Sequence, residues 1–201
     1  KCGPLLSYML QGLEVEPNPL DKEYDGTDQP EILYCDNVII AVNKPHGMLS
    51  VPGRTCANSL LEWLQERYGE VHSCHRLDMD TSGVMVFART MDAKVNLEGQ
   101  FAARKVQKTY RARLVAGGPW NHANKGTIAL PLSLDYYDRP RQMVDTESGK
   151  PAVTKYEVLQ KFPDGEIDVR FTPLTGRSHQ IRVHAAHSQG LGRPIKGDKL
   201  Y

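Results

Sequence analysis

The 201 residues carry 40% hydrophobic and 24% charged side chains at a formal net charge of +1, enough apolar material for a sizeable core. No apolar run reaches the roughly 18 to 20 residues of a membrane-spanning helix, and the opening KCGPLLSYMLQG lacks the pattern of a secretory signal. Cys2, Cys35, Cys56 and Cys74 form no CxxC pair, which argues against a finger-type zinc module and points to reduced thiols in a cytoplasmic protein.

Residues 1–30 divide into a short apolar opening and an acidic stretch bearing Pro and Gly, which reads as a leader or tether with little to bury. Charge divides along the chain in the same place. Residues 1–36 hold eight acids against two bases, and the remainder holds 23 bases against 16 acids, a net +7. A second region, 31–201, is therefore read as the body of the protein, and it is basic.

Within that body, NVIIAV at 37–42 is a β-branched run predicting a strand buried on both faces. Ser59 stands as an N-cap for a helix whose apolar stripe is Leu60, Leu61, Leu64 and Tyr68, closed by Gly69. A strand is predicted over 84–88 and a second helix over 91–103, packing through Val95, Leu97 and Phe101. Residues 117–126, rich in Gly and Asn, read as a connecting loop, and further strands are predicted over 109–115, 154–159 and 167–171. Many strands with few helices predict an α+β fold on an antiparallel or mixed sheet.

Three patterns carry chemistry. HRLDMDTSG at 75–83 sets Asp78 between a basic pair and a Thr-Ser-Gly turn, just ahead of an apolar run, so the backbone bends sharply and presents the carboxylate at a strand edge. Residues 104–113 contain Arg104, Lys105, Lys108, Arg111 and Arg113 with no acid, a cluster suited to phosphates and equally to a solvated strand face. Residues 135–141 mix Tyr136 and Tyr137 with Arg139 and Arg141, which fits either RNA contact or a hairpin tip with surface tyrosines. His179 and His184 are five apart, not the four that aligns helix neighbours, so no metal site is expected.

The HRLD loop resembles the signature of the RluA-type pseudouridine synthases, which convert uridine in RNA to its carbon-linked isomer. Other blocks of that family follow in order: NKPHGMLSVPG at 43–53, KTYRA at 108–112, TGRSHQIRVH at 175–184 and GRPIKGDKLY at 192–201. LPLSLDYYDRPR at 130–141 and GKPAVTKYEV at 149–158 resemble the members acting on both ribosomal and transfer RNA. The resemblance implies a pseudouridine synthase fold with RNA lying across a central cleft. It also implies a catalytic domain over 31–201 that lacks its C-terminal end, because relatives continue past the GDKLY-like block with another strand.

The same resemblance assigns roles. Asp78 would share charge with the detached or activated intermediate, by adding to the base, by bonding to the sugar carbon, or by promoting a glycal. Arg182 would keep that carboxylate ionised in a dry cleft, where burial alone would favour protonation. Tyr110 would stack on the target uracil and handle a proton, and Ile181 and Ile195 would wall the pocket. Because a uracil in a folded loop must leave its stack, Arg76 would fill the vacated space and His75 would position the displaced strand. Lys108, Arg177, Arg139 and Arg141 are expected on RNA phosphates, with Lys44 and Arg54 weaker candidates. No cofactor is expected, the partner is a structured rRNA or tRNA stem-loop, no membrane is involved, and a monomer is the simplest state. The rival readings are a noncatalytic RNA-binding or RNA-folding protein and, from another class, a metal-dependent hydrolase.

Overall fold

The computed structural model describes residues 29–53 and 58–201. Most of the 1–30 leader, together with Arg54, Cys2 and Cys56, lies outside the described residues. Two compact units follow one another along the chain, the first ending at Val106 and the second spanning Gln107–Tyr201.

The first unit is built on an antiparallel sheet of β1 (Glu31–Cys35), β2 (Ile39–Lys44), β3 (His72–Ser73) and β4 (Gly83–Ala88), in spatial order β1-β2-β4-β3. Ala41, Val86 and Ala88 on one face pack with Cys74 and with Ala93 and Leu97 of α2 (Met91–Ala102). Ile40, Val42, Met85 and Phe87 on the other face are wholly buried, so β2 and β4 are covered on both sides, as the continuous β-branched run requires.

Helix α1 (Leu60–Tyr68) starts where its cap predicts. The Ser59 hydroxyl accepts from the Glu62 N–H while the Glu62 carboxylate accepts from the Ser59 N–H at 2.9 Å, a reciprocal box whose cap is worth about 1 kcal/mol. Gly69 ends it at φ 74°, a conformation cheap only for glycine. Helix α2 differs from its predicted stripe in one respect. Val95 is 65% exposed, and the buried positions are Ala93 and Leu97 with Phe101 beside them, four residues apart on one face.

The second unit holds an antiparallel sheet of β5 (Tyr110–Leu114), β6 (Lys125–Ala129), β9 (Val153–Lys161) and β10 (Ile167–Pro173), ordered β5-β10-β9-β6. A separate hairpin, β7 (Leu132–Leu134) with β8 (Gln142–Val144), carries residues 135–141 at its tip. Ala112, Leu114, Val169, Phe171, Tyr156 and Ile128 face one side of the sheet and meet Ala185 and Leu191. Complete burial of Leu114, Val169 and Phe171 contributes roughly 1.5 to 3 kcal/mol apiece. Gly126 lies against the Tyr156 ring, whose nearest atom is 2.7 Å from where a Cβ would stand, so a side chain here would have to displace that ring.

A third helix, α3 (Gln180–Ala186), was not predicted, and the end of the predicted 117–126 loop is the start of β6. The observed architecture is mixed α and β with antiparallel sheets, matching the class read from the sequence.

Candidate active site

Asp78 sits half-buried on the loop between β3 and β4, and the backbone on both sides of it is fixed by the segment that follows β2. The Met79 carbonyl accepts from the Lys44 ammonium at 3.0 Å and from the Gly47 N–H at 2.9 Å. Ser50 closes the other side, donating its hydroxyl to the Leu77 carbonyl at 2.7 Å and accepting the Leu77 N–H at 3.1 Å. His46 Nδ1 donates to the Asp80 carbonyl at 2.7 Å, and the Thr81 N–H returns to the Asp78 carbonyl at 3.1 Å.

Lys44, expected as a phosphate ligand, is instead fully buried. Its ammonium gives all three donors to backbone carbonyls, Pro45 at 2.9 Å, Met48 at 2.7 Å and Met79 at 3.0 Å, so it cannot reach a phosphate. Burial depresses its pKa to about 8, against the opposing pull of Asp80 and Asp78. The sequence carried the signal: Ile40, Val42 and Lys44 alternate on one face of β2, and two buried neighbours predict a third.

His75 is bound into the same unit. Its Nε2 accepts the Val86 N–H at 3.0 Å, and its ring stacks on Phe101 with centroids 4.5 Å apart. Arg76 is exposed, two residues before Asp78 on the loop.

The remaining candidates lie in the second unit. Tyr110 opens β5 opposite Phe171, and Tyr110, Ile181 and Ile195 all pack, partly buried, against the same core cluster. Lys108 is partly buried, which lowers its pKa, and its amine stands beside the turn at Gly176. Arg177 donates its Nε to the Pro151 carbonyl at 3.1 Å. Arg139 stacks its guanidinium 4.6 Å from the Tyr136 ring at the hairpin tip, where Tyr136 and Tyr137 are 70% and 97% exposed.

Arg182 projects from α3, and a row of buried polar groups fixes that helix to β9. The Val153 N–H donates to the Thr175 hydroxyl, which donates to Gln180 Oε1 at 2.7 Å. Gln180 Nε2 donates to the Val153 carbonyl and to the Thr154 hydroxyl at 2.9 Å. His184 is wholly buried and its pKa is lowered, chiefly by burial, so the ring is neutral. Because Leu130 offers only a carbonyl, 3.0 Å from Nε2, that nitrogen carries the proton, and Nδ1 accepts from Thr154 at 2.9 Å. Both ring nitrogens are thereby committed to the protein. Among the described residues no three His, Cys, Asp or Glu side chains converge on a common point.

The Arg182 guanidinium is gripped through Nε and Nη2 by Asp198, at 2.6 and 2.7 Å, and lies 5.3 Å from the Tyr201 ring. Arg141 approaches the same ring at 5.9 Å, so the structure brings Arg182 and Arg141 to one aromatic platform. Asp198 and Tyr201 were not singled out from the sequence, although both lie in the quoted GRPIKGDKLY block.

The family model described as RNA pseudouridylate synthase matches residues 38–187. The chain belongs to that family. It is 46% identical over 186 residues to the dual-specificity RNA pseudouridine synthase RluA of Escherichia coli, covering 90% of this chain and 81% of that one. To the protein of the same description from Haemophilus influenzae it is 43% identical over 185 residues, covering 89% and 81%. Among solved structures, human RNA pseudouridylate synthase domain containing 1 superposes with a TM-score of 0.75 at 28% identity, covering 90% of this chain and 72% of that one. Human RNA pseudouridylate synthase domain containing 4 gives 0.65 at 31%, covering 84% and 67%. This synthase is accordingly an isomerase that converts uridine in RNA to pseudouridine.

Proposed function

We propose that this synthase isomerises uridines in both large-subunit ribosomal RNA and transfer RNA, taking a stem-loop into a central cleft with Asp78, Tyr110 and Arg182 as its catalytic set. The observation that carries the reading is the clamp on the peptide around Asp78, where four side chains or backbone groups from residues 44–50 hold residues 77–80. A carboxylate that must meet an everted base in one geometry gains from a backbone fixed before substrate arrives. The dual-specificity names of its relatives support the two RNA classes. No match favours the noncatalytic reading.

Isomerisation breaks the bond between ribose and uracil nitrogen and forms one to C5, releasing the C5 proton while the freed nitrogen takes one up, so it needs no oxidant and no energy source. Asp78 shares charge with the intermediate, Arg182 keeps it ionised, and Tyr110 stacks on the uracil against a wall of Ile181 and Ile195. Arg76 fills the space vacated by the base, His75 positions the displaced strand, and Lys108, Arg177, Arg139 and Arg141 take phosphates. Residues 31–201 serve as the catalytic domain, which the match over 38–187 supports, and the protein works as a cytoplasmic monomer.

Mapping pseudouridine in total RNA from cells with and without the gene tests the target classes; loss of modification in only one class removes the dual reading. Asp78→Asn is expected to abolish isomerisation while RNA affinity stays near wild type. Product formed by that variant removes Asp78 from the mechanism.

A further inference from the structure

Arg182 meets a carboxylate in its own unit whose geometry is more demanding than a surface ion pair. Asp198 Oδ2 accepts from Nε and Oδ1 from Nη2, and the side chains are only 13% and 3% exposed. Asp198 is itself immobilised. Its Oδ1 also accepts the N–H groups of Leu200 at 2.8 Å and Tyr201 at 3.3 Å, and its own N–H donates to the Ile195 carbonyl at 3.0 Å. Burial opposes ionisation of Asp198, but the Arg182 guanidinium and the two backbone donors together hold it below the usual carboxylate range.

A two-point grip on the Nε/Nη2 edge fixes the rotation of a planar guanidinium about its last bonds, where a single hydrogen bond would leave it free to swing. Tyr201 adds a second constraint, because its ring lies beside the guanidinium while its hydroxyl accepts the Gln142 N–H and bonds His179 Nδ1, each at 2.7 Å.

We propose that Asp198 is a positioning residue for the isomerisation, setting the orientation in which Arg182 presents its guanidinium. This rests on the assignment of Arg182 to the catalytic set. Asp198 touches no substrate. It acts by keeping a long, rotamer-rich side chain in one pose, so the barrier is not raised by the entropy of finding it.

The test uses the full chain and unmodified transcripts of large-subunit ribosomal RNA and tRNA carrying tritium at uridine C5, with tritium release giving kcat and KM. Asp198→Asn, which keeps the size and one acceptor but not the charge, is expected to lower kcat on the order of 10²-fold with KM changed by less than about threefold. Asp198→Glu retains the ion pair at a shifted distance and is expected to lose about tenfold in kcat, a partial rescue. Combined with Arg182→Lys, Asp198→Asn is expected to add less than about threefold, since the grip it removes is already gone. The proposal is overturned by a kcat within about threefold of wild type for Asp198→Glu, or for an Asp198→Asn protein that melts like wild type. It is overturned equally by a loss confined to KM, or by the same fractional loss in the Arg182→Lys background. Arg182→Lys with wild-type kcat instead removes the assignment of Arg182 on which the proposal stands.

Discussion

The ammonium of the fully buried Lys44 donates to the carbonyl of Met79, the residue after Asp78, at 3.0 Å. Lys44→Met is of similar length but leaves the carbonyls of Pro45 and Met48 without that donor, while Met79 keeps the Gly47 N–H. Each buried acceptor so stranded costs about 1 to 3 kcal/mol. The variant is expected to lose on the order of 3 kcal/mol in urea unfolding and most of its isomerase activity. Wild-type kcat in a destabilised variant would separate the clamp from catalysis.

Lys44 also gives a pH signature. Its folded pKa is about 8 and its ordinary value 10.5, so between them the unfolded chain binds the proton more tightly. Its contribution to stability therefore rises with pH across that window and is flat on either side. Over the same window kcat is expected to fall, because the neutral amine has two donors for three carbonyls. Urea midpoints from pH 7 to 10.5 for wild type and Lys44→Met check this, and identical slopes refute it.

His184 acts in the same direction at the acid end. Its folded pKa lies below 6.5, so as pH falls beneath that value the unfolded chain takes up a proton first and stability declines. Melting midpoints between pH 5 and 7 are expected to drop with pH in wild type and to drop less in His184→Gln. A parallel fall in the two proteins would assign the acid sensitivity elsewhere.

Gly190 is buried behind α3, and an added Cβ would collide with the carbonyl oxygen of His184 while standing 3.2 Å from that of His187. Both obstacles are backbone, with no rotamer to yield. Gly190→Ala is expected to cost about 2 kcal/mol or more, read as a lowered melting midpoint. A wild-type midpoint would mean that the turn relaxes.

At the hairpin tip the expectation reverses. Arg139→Ala with Arg141→Ala removes exposed interactions with Tyr136, Asp138 and the Tyr201 ring, so stability should change by about 0.5 kcal/mol or less per site. RNA affinity should fall, and the salt dependence of binding should lessen by about 0.7 to 0.9 for each phosphate no longer neutralised. Filter binding of the transcripts across a salt series measures both, and an unchanged salt slope takes these arginines off the RNA.

Helix α1 was legible because Ser59, Glu62 and Gly69 mark its ends chemically, and β2 because its apolar run is continuous. Helix α3 was not. It has seven residues, its first turn follows His179 in the left-handed region at φ 52°, and no side chain caps it. Strand β6 reads KGTIA, with a glycine that lies against the Tyr156 ring rather than in a turn, so its composition mimics the loop before it. Val95 misled for a different reason: an apolar side chain on a helix need not face the core. Around the candidate site, the blocks singled out Asp78 and Arg182, but the bonds that Asp198 and Lys44 make are formed by chain reversal, and spacing along a sequence does not encode those.

Each hydroxyl between Val153 and His184 both receives and gives a hydrogen, so the row has a direction. Rotating the Gln180 amide by half a turn would set donor against donor at Thr175 and leave Thr154 without its supply. Substituting Thr154 by serine keeps the relay, while valine cuts it at equal volume. The attitude of the helix bearing Arg182 is thus written partly in where hydrogens reside, and a change of a single atom type beneath it would be felt one turn away.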